Sequence, residues 1–244
     1  MRRDARIRLV ASAVVVVAIL MFTGQPWQPA AGYHAFADTR PLAGIPNAAN
    51  VLSNLAFVLV GLTGMRLCWQ GNPRAHALPW SLFFCAVTLT GLGSAIYHIA
   101  PADEGLLWDR LPLGLALAAF IAAAVTEHVG LREGLLSLPV LLLYALLSVV
   151  AWYSIGDLRY YVALQVVAIV VIPVLCALLP GPYTRGRDWT IAVGIYGGAK
   201  IAEICDQTLY AAGHIISGHT LKHLLAALAV GILARMLRLR LPKG

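Results

Sequence analysis

The sequence predicts an all-α fold, a polytopic membrane helical bundle with a seven-helix core plus one extra N-terminal helix. Three observations predict it. Of the 244 residues, 60% are hydrophobic and only 12% are charged, with a mean hydropathy of +0.78, and a soluble domain of this size cannot hide that much apolar surface. The apolar residues gather into eight runs, each near the about 17–25 residues that cross a bilayer as a helix. The arginines fall in alternate gaps between those runs.

The first run, 8–23, is the shortest. Arg2, Arg3, Arg6 and Arg8 precede it and Ala35-Phe36-Ala37 follows it, the outline of a signal peptide. The distance from the apolar run to that cleavage-like triplet is long, so a retained helix is expected. Residues 1–30 then form an N-terminal transmembrane helix and 31–244 the seven-helix domain. The remaining runs are 46–68, 79–99, 107–127, 135–153, 160–179, 189–213 and 218–239. Arg66 and Arg74 lie between the second and third, Arg132 between the fourth and fifth, Arg185 and Arg187 between the sixth and seventh. Arg235, Arg238, Arg240 and Lys243 close the chain. Alternating helices put all of these on one side, while the opposite gaps hold mainly Arg40 and Arg159. By the positive-inside rule both termini are cytoplasmic.

That placement accounts for the net charge of +7 without a nucleic-acid partner. Many arginines against only Lys200, Lys222 and Lys243 point to a GC-rich bacterial genome, and so to an inner membrane. Cys68, Cys85, Cys176 and Cys205 lie in or beside apolar runs with no CxxC, and read as buried free thiols. Trp27, Trp80, Trp108, Trp152 and Trp189 lie near run ends, as an aromatic belt requires.

The topology brings five polar residues to one depth near the outer face. The third run ends at Ser94 and His98 in GSAIYH, the fourth begins near Asp109 in WDRLP, and the last begins at His219 and His223 in SGHTLKH. Such groups are costly in a bilayer and are a functional hypothesis by default. His219 and His223, four apart, share one helical face and can grip one metal. Three imidazoles with an open fourth position suit hydrolytic zinc, and no thiolate or redox partner accompanies them. Asp109 can accept a proton from water and pass it to a leaving group, or form an ion pair with Arg110. Ser94 can hydrogen-bond a carbonyl or oxyanion, or bond back to its own helix.

Asn47, Asn50 and Asn54 share a face at i, i+3 and i+7 near the same depth. They can hold a lipid head group or join helices by hydrogen bonds. Lys200 and Glu203 are expected to pair at i, i+3, and Asp206 lies nearer the outer side, within reach of the site. His34, His76 and His128 read as interfacial residues.

Three blocks carry a resemblance: PNAANVLSN, GSAIYH continuing to WDRLP, and SGHTLKHLLAA. With the helix pattern, roughly residues 38–235 resemble the alkaline ceramidase family, part of a superfamily of seven-helix membrane hydrolases that includes the adiponectin receptors. The resemblance implies zinc on His98, His219 and His223 with water as the fourth ligand, Asp109 handling the proton, and Ser94 assisting at the carbonyl. It implies hydrolysis of the ceramide amide to sphingosine and a fatty acid. The chain departs from the family in two ways. Eukaryotic members carry an acidic calcium-binding segment beginning Asp-Trp-Cys-Glu. Here ADTRPLAGIPN has Asp38 as its only acid and Asn47 where a glutamate is expected, so no calcium site is expected. The N-terminal helix is the second departure. The substrate expected is therefore a membrane lipid amide, ceramide or a related N-acyl lipid.

Two other classes stand beside this reading. A receptor or sensor would keep zinc for structure and is expected to fill all four positions with protein ligands. A transporter would show an inverted repeat, and none is recognisable.

Overall fold

A chain in contact with lipid must satisfy its backbone polar groups internally, which a helix does within one segment. The computed structural model describes residues 2–29, 32–70 and 77–243, and among them each apolar run is helical. In chain order the helices are α1 (Arg3–Phe22), α2 (Ala48–Ser53), α3 (Leu55–Trp69), α4 (Ala77–Ile99), α5 (Asp103–His128), α6 (Leu131–Ile155), α7 (Arg159–Leu178), α8 (Arg187–Ile204), α9 (Asp206–Ala211) and α10 (Gly218–Leu239). The expected boundary at residues 30 and 31 lies outside the described residues, as do Arg74 and His76.

Two runs are broken. Asn54 separates α2 from α3, and Cys205 separates α8 from α9. Seven stretches among the described residues are long and apolar enough to cross a membrane. The eighth rod, α8, falls short of that standard because it carries Arg187, Asp188, Lys200 and Glu203. It packs mainly on α10 and α7.

The helices alternate as the arginine pattern requires. At one end Arg3 donates to the Val129 carbonyl, Arg6 donates to Leu178 O at 3.1 Å, and Lys243 Nζ donates to Gly181 O at 2.9 Å. At the other, Arg159 Nη1 donates to Gly24 O at 2.9 Å. α1 lies on the periphery along α7, with Val17 and Met21 against Ala163, Val162 and Val167. Its remaining face exposes Val15, Ile19 and Leu20.

The core centres on α5, where Ala118, Ala119, Ala122 and Ala123 are fully buried. Small side chains let helix backbones approach closely. Trp80 and Trp189 pack there against Phe83, Phe84 and Phe120. This corrects the aromatic-belt reading: Trp80, Trp152 and Trp189 are buried, whereas Trp27 and Trp108 are exposed. His128 is likewise buried rather than interfacial. The four cysteines are free and half-buried.

Two glycines mark tight approaches that matter for the site. A Cβ on Gly93 would strike the Trp108 carbonyl oxygen, so α4 runs hard against α5 five residues before His98. A Cβ on Gly218 would strike Ala202 O and the Asp206 backbone. The start of α10 is thereby seated in the break between α8 and α9.

Candidate metal centre

α10 starts with a built cap. Ser217 Oγ accepts from Thr220 N at 3.1 Å, which satisfies one of the free N–H groups of the first turn. The His219 backbone N–H donates to Asp206 Oδ1 at 2.7 Å, a carboxylate at the positive end of the helix. Asp206 Oδ2 also accepts from Ala37 N at 2.9 Å. Asp206 therefore reaches the site as an anchor for the His219 backbone and for the segment before α2.

One turn later His223 Nδ1 meets Ser53 Oγ at 2.8 Å. That hydroxyl donates its own proton to Asn50 O at 3.0 Å, so it accepts from Nδ1–H and leaves the Nε2 lone pair of His223 free. An outer partner that fixes the tautomer in this way is the usual support for a metal-ligating histidine. On α4, His98 stands one residue from the helix end. His98 Nε2 and His219 Nε2 lie 3.2 Å apart, and one nitrogen from each of the three rings lies within 4.8 Å of the others. A tetrahedral ion about 2.0–2.1 Å from each nitrogen would hold them about 3.4 Å apart. All three rings are buried, and His98 Nδ1 meets no partner among the described residues. Buried imidazoles converging from two helices fit a zinc ion, and the cluster can hold a metal.

Phe36 roofs this cluster, edge-on to His98 at 4.6 Å and His219 at 4.5 Å between centroids. Phe57 lies against His223 at 6.0 Å. Beside them Lys222 Nζ donates to Glu203 Oε1 at 2.9 Å and lies 3.0 Å from His219 Nε2. Glu203 also pairs with Lys200, the i, i+3 pair expected from the sequence. A cation next to a cation site is unfavourable, and Glu203 offsets it by holding both lysines.

Ser94 is buried one turn before His98. Thr90, a turn earlier, donates back to Ala86 O at 2.8 Å; Ser94 makes no such bond among the described residues. Asp109 is half-buried on α5, lies outside the histidine cluster, and forms no ion pair with Arg110 among the described residues.

The three asparagines do not share one helical face. Asn47 precedes α2 in the left-handed region at φ 47, which asparagine tolerates better than most residues, and Asn54 sits at the α2–α3 break. Asn47 Nδ2 donates to His98 O at 2.9 Å. Asn50 donates to Asp38 O at 3.3 Å and accepts from Thr220 Oγ1 at 2.7 Å. Asn54 Nδ2 donates to Asn50 O at 2.8 Å, while its Oδ1 is buried without a partner. Together they clamp α2 to α4, α10 and the segment before it. The Asp38 carboxylate is taken by Arg40 at 2.8 Å, and the Arg40 hydrogen bonds hold it below its ordinary pKa.

Sequence reasoning passed over Ser53, Phe36 and Lys222, and weighed Arg110 only as an ion-pair partner of Asp109. Ser53 lies within PNAANVLSN, and Lys222 lies at i+3 from His219, so both carried a signal. Phe36 carried none, because only the folded segment brings it over the histidines. Below the cluster is an apolar cavity of about 60 Å³, lined by Phe57, Thr90, Leu113, Tyr196, Ala226 and Val230 among others. Ala226 is one turn past His223.

A model of the family described as Ceramidase matches residues 43–187. That span contains Ser94, His98 and Asp109 and stops before His219 and His223. No curated protein is similar enough to this chain to count as a match.

Proposed function

The chain belongs to the ceramidase family, and on that premise we propose that it is a membrane-embedded, zinc-dependent amide hydrolase. Its substrate is ceramide or a related N-acyl lipid, and its products are a fatty acid and a long-chain amine. The observation that carries this reading is the convergence of three buried imidazole nitrogens within 4.8 Å, with Ser94 one turn before His98 on the same helix. With the basic residues cytoplasmic, both termini lie inside. The histidines then lie near the outer, periplasmic face of a bacterial inner membrane. α1 is retained as an anchor, residues 1–30, ahead of the catalytic domain, 31–244.

His98, His219 and His223 would hold the ion, with Ser53 and Asp206 fixing His223 and His219 in place. Zinc supplies Lewis acidity there: it polarises a carbonyl and makes water a stronger acid. Asp109 takes a proton from the attacking water as the new C–O bond forms, and gives it to the amide nitrogen as the C–N bond breaks. The fatty acid leaves as its carboxylate and the amine leaves protonated. Ser94 donates to the carbonyl oxygen as negative charge develops on it. Phe36 limits water above the ligands, and the apolar cavity beneath them takes the start of the acyl chain.

The test is to purify the full chain from membranes, measure its metal content, and assay a panel of N-acyl lipids of one acyl length. About one zinc per chain is expected, with hydrolysis that falls on chelation and returns with zinc. Full turnover by metal-free protein would sink the proposal. Retained zinc with no hydrolysis of any amide would favour the sensor reading instead.

A further inference from the structure

Arg110 is the exception among the buried charges. Asp38, Glu127, Asp157, Arg159, Asp188 and Arg240 are buried, and each sits in an ion pair, with Arg40, Arg240, Arg159, Asp157, Arg185 and Glu127 respectively. Arg110 is only 2% exposed and has no carboxylate partner among the described residues. Its Nε and Nη1 meet no acceptor. Asp109 adjoins it in the chain without pairing, and Asp103 is taken by His34 at 3.2 Å.

Aromatic rings surround it instead. The guanidinium carbon lies 3.9 Å from the Trp152 ring centroid, 5.1 Å from that of Tyr33 and 5.6 Å from that of Tyr161. A ring stabilises a cation that lies over the ring's own face. A ring is a far weaker acceptor for the N–H groups than a carboxylate or phosphate oxygen. A buried, unpaired charge is strongly unfavourable, and what would relieve this one is an acceptor for Nε and Nη1. A planar fork of N–H donors matches a carboxylate or phosphate in two parallel hydrogen bonds.

The position is as informative as the chemistry. Tyr33 also walls a cavity of about 600 Å³ with Pro29, Gly32, His34, Ala35 and Asp103. On the inner side, Tyr97 holds His34 Nδ1 at 2.8 Å and lies 4.9 Å from His98 between ring centroids. Arg110 thus shares Tyr33 with the wall of that cavity and is next in sequence to Asp109.

We propose that Arg110, in its cage of Tyr33, Trp152 and Tyr161, binds an anionic group, a carboxylate or phosphate, on the amine portion of the lipid substrate. The preferred substrate is then an acidic N-acyl lipid, such as an N-acylated amino acid or a phosphorylated long-chain amide, over neutral ceramide. The word substrate rests on the amidase reading above; the anion site rests on Arg110.

Binding and hydrolysis test the two separately. Full-length zinc-loaded protein in neutral detergent is titrated with dodecyl phosphate, dodecanol and inorganic phosphate, with binding read by thermal shift. Dodecyl phosphate should bind about tenfold or more tightly than dodecanol, a difference a charge-assisted pair can supply, and inorganic phosphate should give no shift at the same concentration. Equal binding of dodecyl phosphate and dodecanol by the native protein overturns the site without any variant. An equal shift from inorganic phosphate overturns the lipid source. The preference should survive chelation, and its loss would place the anion on the metal and overturn the proposal. Arg110→Gln should abolish the preference and Arg110→Lys retain part of it; an undiminished preference in Arg110→Gln overturns the assignment. In hydrolysis, kcat/KM for N-palmitoylglycine should exceed that for N-palmitoylethanolamine about tenfold, with a ratio near one in Arg110→Gln. Hydrolysis of both amides at equal rates overturns the substrate class and leaves the amidase standing. Arg110-dependent binding of dodecyl phosphate without hydrolysis of any amide removes the amidase and leaves the anion site.

Discussion

Buried polar residues gather at both ends of the bundle, and the two groups differ in how fully their atoms are used. At the end where α5 and α7 finish, Glu127 accepts from Trp80 Nε1 at 3.1 Å and pairs with Arg240. His128 Nδ1 meets Leu179 O at 2.6 Å and its Nε2 meets Cys176 Sγ at 3.5 Å. At the opposite end, where α4 finishes and α10 begins, stand Asn54 Oδ1, His98 Nδ1, and Arg110 Nε and Nη1. These are the buried side-chain atoms without a partner among the described residues. Both ends contain a buried histidine, a buried arginine and nearby aromatic rings, so composition does not separate them. Saturation does. Buried polar groups are normally hydrogen-bonded, so a satisfied cluster has nothing left for a ligand, and a run of exceptions in one place marks where a ligand belongs.

Four substitutions would sharpen or break that contrast. The largest effect is expected from His223→Ala, which should abolish zinc binding and lower turnover by at least about 10³-fold. Metal analysis of the folded variant checks it, and wild-type zinc content would remove His223 from the ligand set. Asp109→Asn should keep its zinc and lose about 10²–10⁴-fold in turnover; unchanged hydrolysis would take Asp109 out of the mechanism.

At the saturated end, Glu127→Ala leaves Arg240 and Trp80 short of their shared acceptor. It should cost about 3–5 kcal/mol in unfolding free energy with zinc content unchanged. Loss of zinc in that variant would erase the distinction between the two ends. The smallest effect is expected from Ser53→Ala, which removes the outer partner of His223 and should weaken zinc about 10–100-fold. A metal-buffer titration giving wild-type affinity would show that Ser53 is not needed to hold the ring.

Much of the fold was legible because it answers to local rules. Among the described residues every apolar run is helical, and the helices alternate as the arginines require. The breaks at Asn54 and Cys205 were not legible, since apolar residues continue on both sides of each. The asparagines were read as one face because a helix was carried unbroken through Asn54. The tryptophans were assigned to lipid from their depth alone, but depth does not say whether a side chain points outward or into the core. Ser94, His98, Asp109, His219 and His223 could be placed at one end by counting crossings. Their separate surroundings could not be read that way, and neither could those of Arg110, whose Nε and Nη1 prove to lack an acceptor among the described residues.

The sequence by itself determined that the chain is a helical bundle, where its helices lie, and that the three histidines share a depth. Helix length and hydropathy are properties of contiguous residues, and alternation converts them into depth. Only the tertiary structure decided that Asp206 anchors the start of α10, that Ser53 fixes the His223 tautomer, and that Arg110 Nε and Nη1 lack an acceptor among the described residues. Those facts depend on the rotation of each helix about its axis and on segments far apart in the chain. Hydrogen bonds act over about 3 Å, a scale on which depth alone says nothing.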